Sequence, residues 1–170
     1  MHKEELVAKL AEKLRGVRKL AVLGVGNELR GDDAVGPLLA RRIKRLRSPK
    51  LMIIDCGVAP ENYTGILRRF RPSHVVVVDA VDTGSPPGTV EVFESCELVG
   101  LPLSTHKVPL RLLAEYLEAA LRCKLLVLGI QPGTLGFTDR PSLSREVEEG
   151  LRLAEEALVG ALSRLNLLCA

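Results

Sequence analysis

LAVLGVGNELRGDDAVGP, residues 20–37, decides how the chain is read. An apolar run (Leu20, Ala21, Val22, Leu23) passes into a turn rich in glycine (Gly24, Gly26, Gly31), then into two adjacent carboxylates, Asp32 and Asp33, and then into an amphipathic pattern. A buried strand that turns beside acidic side chains into a helix places its chemistry at the carboxyl end of a sheet. Open α/β folds form their ligand crevice there.

Working outward, apolar runs alternate with helical periodicity. Residues 4–15 carry Leu6, Val7, Leu10 and Leu14 on one stripe, closed by Gly16, and predict a first helix. After Asp33 a helix places Leu38, Leu39, Ile43 and Leu46 inward, with Pro37 in its first turn, where a missing N–H does no harm. Strands are expected over 51–55, over 74–79 (HVVVVD, poor helix material and good buried-strand material) and over 125–130. A half-exposed strand over 89–93, following the turn Gly84-Ser85-Pro86-Pro87-Gly88, suits an antiparallel edge. Helices are expected over 61–70, 108–121 and 142–165.

Parallel neighbours need crossover connections, and here the connections are helices. The fold class is therefore α/β, a three-layer α/β/α sandwich on a mainly parallel sheet of about five strands. At 170 residues the chain reads as a single domain, residues 1–170, with residues 1–16 as an added N-terminal helix.

Composition narrows the function classes. A 46% hydrophobic fraction with no apolar run of membrane length argues for a soluble protein without a membrane span. Residues 1–15 are studded with charge, unlike a signal peptide, so a cytoplasmic location is expected. The net charge of +3 with 3% aromatics and no Trp argues against nucleic acid as a partner. Cys56, Cys96, Cys123 and Cys169 form no C-x-x-C pair and read as reduced apolar residues.

Several residues could carry chemistry. Gly24-Val25-Gly26 is not a dinucleotide fingerprint, because Leu29 stands where the third glycine belongs, and the acid pair would repel a phosphate. Asp32 and Asp33 stand before a helix, where one Asp is ordinarily a cap worth about 1 kcal/mol. Asp79 ends a buried valine run; it is either a turn cap, helped by Asp82, or a carboxylate needing a cation or hydrogen bonds. His106, just before a helix, is either a surface or capping histidine or the third member of a mixed O,O,N site suited to a divalent transition ion.

Five segments in order carry a resemblance: residues 24–37 (GVGNELRGDDAVGP), 55–62 (DCGVAPEN), Val78-Asp79-Ala80 with Pro87-Gly88, Ser104-Thr105-His106, and Gly129-Ile130-Gln131-Pro132. Together they resemble the maturation endopeptidases of [NiFe] hydrogenases, nearest to the subgroup that processes the hydrogenase 3 type of large subunit. The resemblance implies a protease, classed with aspartic-type peptidases, that removes a C-terminal extension from the large-subunit precursor after nickel insertion. It implies that Asp33, Asp79 and His106 are the metal-contacting and catalytic residues. Nickel would be carried by the precursor, with no tightly held metal of the enzyme's own and a monomer meeting its client transiently. Cys56 departs from the glycine common in relatives, and the two acids lack the D-T-G frames of pepsin-like enzymes. Two other classes stand as alternatives: a nickel-binding chaperone or scavenger using the same three residues without hydrolysis, and a nucleotide-binding α/β protein, favoured by fold analogy alone, which would lack its phosphate-binding lysine.

Overall fold

The computed structural model describes residues 2–101 and 110–169. In chain order the elements are α1 (Lys3–Lys13), β1 (Leu20–Val25), α2 (Val35–Ile43), β2 (Leu51–Gly57), α3 (Thr64–Phe70), β3 (His74–Ala80), β4 (Val90–Glu94), α4 (Leu110–Leu121), β5 (Lys124–Ile130) and α5 (Arg145–Arg164). Short 3-10 helices at Gly31–Ala34, Pro60–Tyr63 and Ser95–Leu98 join them.

The strands form one sheet in the order β2-β1-β3-β5-β4, parallel throughout except for β4, which runs antiparallel to β5 at one edge. That is the expected sandwich with its antiparallel edge. Successive side chains of a strand point to opposite faces, and the core divides accordingly. Leu20, Val22, Val76, Val78, Leu126 and Leu128 pack with α1, α2 and α5. Ala21, Leu23, Val75, Val77, Leu125 and Val127 pack with α3 and α4 on the other face. Every residue of β1 and β3 is buried, which is why β1 is a continuous apolar run and β3 carries four consecutive valines.

Most boundaries shift by one to three residues from the sequence expectation, and three departures have a local reason. The helix expected over 61–70 starts as the 3-10 turn Pro60–Tyr63 and becomes α-helical only from Thr64. The aspartates do not precede a helix but lie inside the 3-10 turn Gly31–Ala34, after which α2 begins. Strand β2 runs two residues past Asp55, because Gly24 pairs with Asp55 and Val25 with Gly57, leaving Cys56 as the extra residue of a bulge.

Order positions the site. From β1 the chain leaves toward β2 on one side, and from β3 it leaves toward the β4 edge on the other. Adjacent parallel strands whose connections diverge leave a crevice beyond their carboxyl ends. In this sheet that point lies between β1 and β3.

Candidate active site

Glycines let α2 lie directly on the two central strands. A Cβ at Gly36 would sit 2.2 Å from the Val25 carbonyl oxygen and 2.4 Å from that of Val78, so the first turn of α2 touches the ends of β1 and β3 together. Gly24 is matched to it, since a Cβ there would be 2.2 Å from the Gly36 carbonyl oxygen. Gly26, at φ 153°, leaves room for the Asp33 carbonyl, 2.0 Å from where its Cβ would stand. Close approach accounts for these glycines without a phosphate.

This docking brings two of the expected residues to one rim. Asp33 lies three positions before Gly36, on the turn packed against β3, and Asp79 directly follows Val78. Both are fully buried. The Asn27 backbone N–H donates to Asp33 Oδ2 at 2.9 Å, and the Asn27 Oδ1 in turn accepts the Leu29 N–H at 2.9 Å. Asp79 pairs with Gly129 of β5, one position beyond the last β1–β3 pair, Gly24 with Val78. His106, the expected imidazole donor, lies outside the described residues. Among the described residues no three His, Cys, Asp or Glu side chains gather into a metal site. Asp33 and Asp79 contribute hard oxygen donors that suit a divalent ion, and a nitrogen donor would complete a mixed set.

Asp32, the other half of the pair, is also fully buried but does different work. Its Oδ2 accepts the backbone N–H groups of Gly133 and Thr134, both at 2.8 Å, and the Ser144 hydroxyl at 2.9 Å; its Oδ1 accepts the Ser144 N–H at 2.7 Å. It is not the cap of the following helix that one reading of the sequence allowed: its partners lie more than a hundred residues away, in the loop after β5 and at the start of α5. The signal that could have found it is that only one of two adjacent acids can occupy one site. Nothing local named its partners.

Two further networks frame the rim. Gln131 accepts the Thr83 N–H on Oε1 at 2.7 Å and donates from Nε2 to Asp82 Oδ1 at 3.1 Å, joining the loop after β5 to the loop after β3. Arg41 of α2 grips Glu28 with two bonds of 2.7 and 2.8 Å and Asp55 with one of 3.0 Å. The Arg41 hydrogen bond holds the Glu28 carboxyl below its usual range. Cys56 is buried, and burial, reinforced by Asp55 and Glu61, pushes its thiol up to about 12. Such a thiol is an inert wall, not a nucleophile.

Fold and rim together define an α/β/α protein with buried carboxylates at the divergence of two central strands, the place where such folds form a ligand crevice. The family model described as hydrogenase maturation protease matches residues 37–161. The chain is 36% identical over 117 residues to the hydrogenase 3 maturation protease of Escherichia coli K12, covering 68% of this chain and 74% of that one. The crystal structure of a [NiFe] hydrogenase maturation protease from Thermococcus kodakarensis superposes with a TM-score of 0.79 at 34% identity, covering 92% of this chain and 99% of that one. The solution structure of an Escherichia coli endopeptidase superposes with a TM-score of 0.67 at 31% identity, covering 79% and 85%. The chain belongs to the hydrogenase maturation protease family.

Proposed function

We propose that this protein is an endopeptidase that removes the C-terminal extension of a [NiFe] hydrogenase large-subunit precursor once nickel is in place, working in the cytoplasm as a monomer. Nickel is part of the substrate in this reading. Its open coordination positions meet Asp33, Asp79 and His106, and the peptide bond is hydrolysed beside it. The observation that carries the reading is the docking of α2 through Gly36, which holds two buried carboxylates at the ends of adjacent strands.

Two carboxylates in one dry crevice repel each other, and a divalent charge arriving with the client offsets that repulsion. A precursor without metal brings no such charge and docks less well, so cleavage waits for nickel. Hydrolysis adds water across the amide: the water oxygen bonds to the scissile carbonyl carbon, the C–N bond breaks, and the leaving nitrogen takes a proton. A buried carboxylate within reach of that water serves as its general base, and the metal ion polarises the carbonyl or the water. The aspartic-type classification corresponds to the first of these two roles. Purified protein incubated with nickel-loaded and metal-free precursor should release a peptide from the loaded form alone, read by mass spectrometry. Equal cleavage of both refutes the dependence on nickel. Metal binding without a released peptide instead identifies a chaperone.

A further inference from the structure

We infer that Asp32 is a positioning residue, which fixes the neighbouring Asp33 carboxylate at the crevice by latching its turn to the exit of β5 and the start of α5. This deepens the proposed function and rests on Asp33 acting there. Asp32 gives no side-chain bond to the helix that follows it, α2 having none at its start. All four of its bonds go to Gly133, Thr134 and Ser144. Its own N–H adds a fifth tie, donating to the Thr134 carbonyl at 2.8 Å. Gly31, at φ 54°, fits beneath that same carbonyl, which a Cβ would approach to 2.6 Å. The turn Gly31–Ala34 is thus held on one side by residues 133–144 and on the other by the Asn27 N–H on Asp33 Oδ2. One peptide unit separates the two acids, so slack on the Asp32 side becomes displacement of Asp33.

The chemistry explains why an acid occupies this position. Three backbone N–H groups and one hydroxyl point at the two oxygens, and an ionised carboxylate is acceptor-only. An asparagine turns a donor toward a donor on one side, whichever way it flips. Burial of a carboxylate is tolerated because four bonds replace its water.

The test compares wild type, Asp32→Asn, Ser144→Ala and a stability control, Leu117→Ala, whose side chain packs in the layer behind the other sheet face. Amide exchange is read on the protein alone, and processing on nickel-loaded precursor, at a temperature where all variants are folded. Asp32→Asn should deprotect the Asn27, Gly133 and Thr134 amides together by about tenfold. It should also lower kcat about a hundredfold with KM unchanged, as misplacement of a reacting group does. Ser144→Ala, losing one bond, should lower kcat about fivefold. Leu117→Ala should melt earlier yet process normally. Wild-type protection at Asn27 in Asp32→Asn, or an equal loss of processing in Leu117→Ala, overturns the latch. Failure of wild type to release any peptide overturns the proposed function instead, and Asn27 exchange still judges the latch.

Discussion

Gly36→Ala is the sharpest test of how the crevice is built. Alanine for glycine in a helix ordinarily stabilises by up to about 1 kcal/mol. Here the new methyl would stand 2.2 Å from the Val25 carbonyl oxygen, 2.4 Å from that of Val78 and 2.5 Å from the Val25 nitrogen, all of them backbone. Real Cβ contacts essentially never fall below 3.0 Å, so α2 must lift from β1 and β3 by at least 0.8 Å. Overpacking of this kind costs about 1–3 kcal/mol. At about 3 °C per kcal/mol for a chain of this length, the melting temperature should fall by roughly 3–9 °C. A shift near 1 Å between Asp33 and Asp79 should also slow processing of nickel-loaded precursor about a hundredfold, even where the variant is fully folded. Gly65→Ala in α3, whose Cβ would meet nothing within 4 Å, serves as the control and should gain about 0.5–1 kcal/mol. Scanning calorimetry and single-turnover cleavage read both effects. An unchanged melting temperature with normal cleavage in Gly36→Ala refutes the close docking and the geometry built on it.

Two further outcomes are expected. Asp33→Asn and Asp79→Asn keep shape and remove charge, so each should abolish processing in a gel-shift assay while circular dichroism stays that of wild type; normal processing by either removes that residue from the site. Cys56 should resist alkylation at pH 8 while the exposed Cys96 and Cys169 react, as counted by intact mass. Because its folded value is raised from 9.0 to about 12, the unfolded thiol ionises first. Cys56 therefore contributes stability that is present below pH 9 and is lost as pH rises toward 12, and Cys56→Ala should flatten the alkaline unfolding curve there.

Much of this was readable from the chain because it is written locally. The HVVVVD run declared β3, and alternating apolar runs and helical stripes declared the three layers and the antiparallel edge. Strand order was not readable, since it depends on which connections cross over, and with it went the reason the crevice lies between β1 and β3. Gly24 looked like a turn residue and Gly36 carried no reading, yet both are there for contact between a helix and two strands, which only the assembled fold reveals. The bulge at Cys56 reflects a pairing register across strands, invisible in residues 51–57 alone. Of the candidate site, Asp33 and Asp79 were named from sequence and lie at one rim; His106 falls outside the described residues. Asp32 was read as a cap of the next helix and instead accepts from distant groups, because Gly133, Thr134 and Ser144 carry no signal that pairs them with it.

The strand order also decides which parts of the molecule come loose first. β1 and β3 each have a strand on both sides and helices above and below, whereas β2 and β4, among the described residues, each pair with a strand on one side alone. Thermal fraying begins at such margins, so a protease added from outside should nick near β2 or β4 long before it reaches the central pair. Asp79 belongs to one of these central strands, and Asp33 to the turn packed against it. Partial unfolding therefore leaves the crevice whole, and loss of its shape coincides with collapse of the entire sheet.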